Sequence, residues 1–194
     1  LPLGLTLGLK LTVVVFCVGA TLCLLFLSAP WRRRLLVSFA FGVGVTLGFL
    51  ATYGWWGWYL QSQFQSPFFP YFNTIFQSPL AAAHFTRDTS FVPRSLGEIL
   101  FFPFVLALDP LRGNETPWRD WRIPALFVAV LVSCATRCVK GAARGEGAGI
   151  VNTQPARLVF AFGFFSYGVW LAMFGNYRYA TPLEMLAPSL MALA

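Results

Sequence analysis

The stretch LLVSFAFGVGVTLGFLATYGWWGWYL, residues 35–60, carries no charged side chain from end to end. A helix needs about 20 such residues to cross roughly 30 Å of hydrocarbon. Gly42, Gly44, Gly48, Gly54 and Gly57 punctuate the stretch, and Tyr53, Trp55, Trp56, Trp58 and Tyr59 close it. Small residues let a neighbouring helix approach, and clustered Trp and Tyr mark a membrane–water interface. The stretch therefore reads as a membrane-crossing helix, and it sets the expected fold class: an all-α, polytopic transmembrane helical bundle. Helix packing is the reading given to Gly42 and Gly44, whose spacing is too weak a pattern to assign a dimer face.

Working outward, four further apolar runs have similar character: 7–29, ended by Pro30 and the cluster Trp31, Arg32, Arg33, Arg34; then 123–139, 157–174 and 182–194. The composition agrees. Hydrophobic residues make up 57% of the chain and charged residues 11%, where a soluble domain has about a quarter charged; the mean hydropathy is +0.66. The chain is expected to be one membrane domain, 1–194, and a fragment of a longer protein, because it starts at Leu1 and stops inside an apolar run. The basic cluster of 7–29 follows the apolar run instead of preceding it, so this segment reads as an internal helix and not a signal peptide.

Charge orients the bundle. Arg32, Arg33 and Arg34 have no acidic neighbour, and the 137–157 connection sets Arg137, Lys140, Arg144 and Arg157 against Glu146 alone. Both loops are expected on the cytoplasmic side. Residues 61–122 and 175–184 then fall on the outer face, where Arg87, Arg94, Arg112, Arg119, Arg122 and Arg178 are matched by Asp88, Glu98, Asp109, Glu115, Asp120 and Glu184. The net charge of +7 is thus assigned to topology and to contact with anionic lipid of the bilayer, not to a nucleic-acid partner.

The outer region is too long to be structureless unless it serves a site. Within it, QSPFFPYFNTIFQSP (65–79) is aromatic, uncharged and interrupted by Pro67, Pro70 and Pro79, so no long helix runs through it. Its rings need the headgroup zone or a roof of helices. Next, SLGEILFFPFVLAL (95–108) begins with a capping box, Ser95 as N-cap and Glu98 at N3, and Pro103 is expected to kink or stop the helix. The segment is too short to span, which suggests an interfacial helix. The two segments together are expected to pack as one apolar lid. The segment DPLRGNETPWRDWR (109–122) reads as a loop anchored by Trp118 and Trp121.

SPFFPYFNTIFQSP, the Arg87-Asp88 pair, LGEILFFPFVLALDP and NYRYATPLEMLAPSL together resemble the later part of bacterial multi-spanning glycosyltransferases of the GT-C type, the group of dolichyl-phosphate-mannose mannosyltransferases and lipid A aminoarabinose transferases. The resemblance implies an enzyme that transfers a sugar from a polyprenyl-phosphate donor at the outer face of the bacterial inner membrane. It also implies an acidic catalytic motif early in the protein. This chain shows none, and the carboxylate is expected before Leu1.

Glycosyl transfer from a lipid phosphate needs a base, cationic groups for the departing phosphate and an apolar groove for the isoprenoid. Arg178, flanked by Tyr177 and Tyr179 with Asn176 adjacent, is the phosphate candidate, because a guanidinium fork binds phosphate oxygens in pairs and stays charged. The plainer reading of Arg178 is an interface anchor paired with Glu184. His84, Arg87 and Asp88 are candidates for lining an acceptor site, and Asn73 for a hydrogen bond to a sugar, beside the plainer roles of solvated loop histidine, surface ion pair and turn. Glu98 reads as a cap and not a base. Cys17 and Cys23 lie within a span, and Cys134 and Cys138 stand one helical turn apart without further ligands, so no metal site is assigned. No cofactor is evident, and a divalent metal is left open. The rival classes are a transporter or flippase-like carrier, which needs polar groups inside its spans and has only Lys10 to offer, and a non-enzymatic membrane assembly protein that uses the aromatic loop as a partner surface.

Overall fold

A computed structural model describes residues 1–82, 88–136 and 153–193 in full and the backbone of 137–144. Nine helices are present among these residues: α1 Pro2–Leu9, α2 Val14–Leu24, α3 Trp31–Phe64, α4 Asn73–Phe76, α5 Leu96–Leu108, α6 Pro110–Gly113, α7 Arg122–Arg144, α8 Gln154–Met173 and α9 Thr181–Leu193. Two single 3₁₀ turns, Leu11–Val13 and Tyr177–Tyr179, complete the elements, and no strand occurs among the described residues. The protein is all-α.

Two helices, α3 and α8, are long and apolar enough to cross a membrane. In α3 only 6% of the most apolar window is buried. The buried core helix of a soluble protein would show the reverse, and Phe39, Leu47, Leu50, Trp55 and Trp58 all stand exposed along it. With about 1.5 Å of rise per residue, the 34 residues of α3 reach roughly 51 Å, well beyond a hydrocarbon core. The helix stops where Gln65 turns into the left-handed region at φ 57°.

The run 7–29 is not one span. Its helix breaks at Lys10, whose backbone is extended (φ −147°, ψ 104°), and α2 starts afresh after the 3₁₀ turn. The reason lies in small residues. Two G-x-x-x-G spacings lie in the contact of α1 with α3: Gly4 and Gly8 of α1 rest on Val45 and on Phe49 and Thr52, and Gly44 and Gly48 of α3 rest on Leu1 and on Leu1, Gly4 and Leu5. A methyl on Gly4 would strike the Val45 carbonyl, and one on Gly48 would strike the Leu1 carbonyl and come within 2.8 Å of the Leu5 nitrogen. Thr52 Oγ1 adds a hydrogen bond across the contact to the Leu5 carbonyl at 3.1 Å. Gly48→Leu should therefore force α1 off α3 and lower the thermal unfolding temperature in detergent, at an overpacking cost of about 1–3 kcal/mol. Gly42→Leu is the control, since a Cβ there meets nothing within 4 Å; equal losses in both variants would refute the contact.

A second seam joins α2 to α8. Arg157 near the start of α8 donates to Ser28 Oγ beyond the end of α2 (2.8 Å), and Phe26 meets Phe165 at 5.5 Å. At the opposite ends Lys10, ahead of α2, lies over the ring of Tyr179, beyond α8. The two helices are thus antiparallel, and the core of Phe16, Phe102, Leu106, Trp170, Leu171 and Leu183 fills the space that α5 and α9 cover.

The two apolar segments 65–79 and 95–108 settle on different helices, so the single lid is not what forms. Residues 65–79 turn back on α3: the rings of Phe49, Tyr53 and Phe68 form one cluster, Tyr53 4.9 Å from Phe49 and 5.5 Å from Phe68, which are 6.3 Å apart, and the Tyr53 hydroxyl donates to the Pro67 carbonyl at 3.0 Å. Helix α5 docks elsewhere, its Phe102 edge-on to Trp170 at 5.9 Å and its Phe104 edge-on to Phe127 of α7 at 5.8 Å. Ser95 Oγ caps α5 by accepting from the Glu98 amide at 3.1 Å, and the Glu98 carboxylate reaches back one residue further than expected, to the Arg94 amide at 2.7 Å. Pro103 neither stops nor ends α5, which continues to Leu108 with Phe102 and Pro103 both buried; the packing of Phe102 and Leu106 outweighs the one amide that proline lacks.

Candidate functional site

Charge is sorted between the two ends of the α2–α8 seam. At one end Arg34 turns inward to the carbonyls of Ala29 and Leu25, both at 2.8 Å, beside the Arg157–Ser28 contact, and among the described residues no carboxylate takes part. At the other end three arginines, Arg112, Arg122 and Arg178, are paired with acids, two of them, Glu184 and Glu115, from about sixty residues away in the chain. Arg112 binds Glu98 at 2.6 Å and donates to the carbonyls of Ser90 and Val92, both at 2.9 Å. Arg122 grips Asp120 through Nε (2.8 Å to Oδ2, 3.1 Å to Oδ1) and through Nη2, and the same Nη2 binds Glu184 of α9 at 2.7 Å. Arg178 binds Glu115 through Nη1 at 3.0 and 3.2 Å. The segments 88–122 and 175–184 therefore form one continuous surface.

The turn that carries Arg178 is fixed from below by Trp170, which is fully buried and donates its indole N–H to the Asn176 carbonyl at 2.9 Å. The amides of Phe174 and Gly175 both return to the Trp170 carbonyl, at 2.8 and 3.0 Å. Gly175 sits at φ +60° with its Cα against the backbone of Phe91 and Val92. Asn176 Oδ1 then accepts from the Arg178 amide at 3.0 Å and starts the 3₁₀ turn Tyr177–Tyr179.

The plainer reading of Arg178 needs correction: its partner is Glu115, because Glu184 is already engaged by Arg122. Tyr177 faces inward as part of the core, its hydroxyl beside the Asp120 and Glu184 carboxylates but in no aligned hydrogen bond. Burial, and then those two carboxylates, push its pKa up. Burial alone would raise the Asp120 pKa; the hydrogen bonds from the Arg122 side chain and amide outweigh it and hold the carboxyl below the usual carboxylate range. Tyr179 remains half-buried at the surface, packed on Phe174 at 5.1 Å.

Asn73 is a structural residue. It is buried, its Nδ2 donates to the carbonyls of Ser78, Ala81 and Ala82 at 2.9–3.1 Å, and its Oδ1 accepts from the Ser78 amide at 2.7 Å. No donor is left for a sugar. Asp88 is exposed and accepts from the Ser90 amide at 2.9 Å; the Ser90 hydroxyl, and then this amide, lower its pKa. His84 and Arg87 lie outside the described residues, and so does the partner that Arg87 was to offer Asp88. Among the described residues no three His, Cys, Asp or Glu side chains stand together as metal ligands. Lys10, expected as the lone charge near the start of the apolar run 7–29, lies where α1 gives way to α2, its ammonium 5.5 Å from the Tyr179 ring centroid, with Arg178 5.2 Å from the same centroid. Only the break between α1 and α2 brings it there, and its one sequence trace is a lone cation inside an apolar run.

No family model, curated protein or solved structure matches this chain.

Proposed function

We propose that the chain is the later part of a multi-spanning membrane glycosyltransferase of the GT-C type. It transfers a sugar from a polyprenyl-phosphate donor at the outer face of a bacterial inner membrane, with 61–122 and 175–184 outside and Arg178 at the donor phosphate. What supports a membrane bundle is the exposed apolar face of α3 together with the gathering of the described arginine–carboxylate pairs at one end, away from Arg32, Arg33 and Arg34. The observation that carries the site is the state of Arg178. Among the three arginines paired with acids, its side chain is the most exposed, at 58%, and its partner Glu115 is itself 52% exposed, whereas Arg112 is 20% exposed and Arg122 is tied to two largely buried carboxylates. An exposed pair of this kind is worth about 0–1 kcal/mol, so its guanidinium is free to exchange partners. Lys10, the one charge a transporter reading would use, is exposed on the bundle surface and does not point into an enclosed path.

The test is donor-dependent transfer by the full-length protein in nanodiscs. Arg178→Ala should lose one charge-assisted contact, about 1.5–3 kcal/mol or roughly ten- to over a hundredfold in donor binding or rate, while Arg178→Lys keeps the charge and part of the activity. Wild-type kinetics in a well-folded Arg178→Ala protein would exclude the role.

A further inference from the structure

Two cations meet on one aromatic ring at the boundary end of the bundle. Lys10 comes from the break between α1 and α2 and Arg178 from the turn between α8 and α9, positions far apart in the chain, and both lie within cation–π reach of Tyr179. Lys10 is exposed and has no carboxylate partner among the described residues. Arg178 has one, but both of its bonds to Glu115 come from Nη1, while Nη2 reaches only the Tyr179 hydroxyl at 3.3 Å. The fork is thus used on one side, by an exposed anion. Glu115 also accepts from Asn176 Nδ2 at 3.3 Å, a neutral donor that stays with it if Arg178 leaves.

We propose that Lys10 and Arg178 are the two arms of one phosphate clamp seated on Tyr179, and that Glu115 is a placeholder anion which the phosphate displaces. The ligand class is a phosphate ester at the membrane boundary. With Glu115 in place the trio carries one net positive charge; once Glu115 is displaced, two cations face the phosphate, the balance suited to a group with one or two negative charges. Tyr179 holds both arms in position while the site is empty. This inference rests on the reading of Arg178 as a lipid-phosphate residue.

The experiment uses the full-length protein in nanodiscs and measures Kd for undecaprenyl phosphate. Lys10→Gln should weaken binding about tenfold and Lys10→Arg should restore most of it. Glu115→Gln should leave binding unchanged or tighten it several-fold, the opposite of what a purely structural ion pair would give. Unchanged binding in Lys10→Gln, or weaker binding in Glu115→Gln at wild-type thermal stability, overturns the clamp. Inorganic phosphate and nanodiscs rich in phosphatidylglycerol are the competing arms. Displacement by inorganic phosphate at equal concentration supports the clamp with the free anion as ligand, and displacement by phosphatidylglycerol supports it with bulk lipid. If the Kd values respond as expected and no sugar is transferred, the enzyme reading fails and the clamp stands. If transfer depends on Arg178 while the Lys10 and Glu115 variants bind as wild type, the clamp fails and the enzyme reading stands.

Discussion

Arg122→Ala should destabilise the protein by about 2–4 kcal/mol, measured as thermal unfolding in detergent. The side chains of Asp120 and Glu184 are only 6% and 12% exposed, and Arg122 is the cation that holds both. Removing it leaves two carboxylates close together, largely out of water and beside the buried Tyr177. Breaking a fully buried pair costs about 3–5 kcal/mol; the lower range applies because Arg122 is itself 43% exposed, so water already screens part of the attraction. Acid titration gives a second readout. The depressed pKa of Asp120 means that its share of the stability is fully present above the ordinary carboxylate pKa of about 4 and is lost as pH falls through the lower folded value. In Arg122→Ala that acid limb should flatten. An Arg122→Ala protein that melts with the wild type would show that α9 is held by its apolar face alone.

Gly175→Ala should be at least as damaging, at about 3 kcal/mol or more. A left-handed backbone costs a residue with a Cβ roughly 1–2 kcal/mol, and here the added carbon would also run into the Phe91 carbonyl group, 2.8 Å from its carbon and 3.2 Å from Val92 Cα. Neither side can yield easily: Arg112 clamps the carbonyls of Ser90 and Val92, and Trp170 holds the Gly175 amide. Gly175→Asn separates the two causes. Asparagine tolerates positive φ but still brings a Cβ, so it should be nearly as unstable as alanine. Wild-type melting of Gly175→Asn would show that the collision with Phe91 does not matter.

What could be read from the sequence was whatever is local. Capping at Ser95, the prolines of 65–79 and the runs that became α3, α7, α8 and α9 depend on neighbours a few residues away, and each appears near its expected place. Hydropathy counts apolar residues and is blind to backbone approach, so it does not show the break at Lys10; of the two glycines read as packing residues, Gly44 lies against Leu1 while Gly42 faces open space. The arginine partners were missed for a different reason. Matching numbers of acids and bases predicted that the outer segments would be balanced, but not that Glu184 would go to Arg122 and Glu115 to Arg178, contacts that bridge about sixty residues of chain. Asn73 gave no hint of its role either, since a saturated turn asparagine and a sugar-binding one are the same letter.

The pairing of charges at one end has an electrical consequence for assembly. Residues 61–122 contain five arginines and five acids, and 175–184 one of each, so the whole +7 of the chain lies elsewhere. A membrane potential does about 2.3 kcal/mol of work per elementary charge per 100 mV. In the proposed orientation the exported segments carry no net charge, so the resting potential neither pulls them across nor holds them back. The basic helix ends, with three arginines in the first turn of α3, three cations in the last turns of α7 and Arg157 in the first turn of α8, are the parts that the same potential pins to the inner side. Inverting the bundle would mean moving that charge outward against the field.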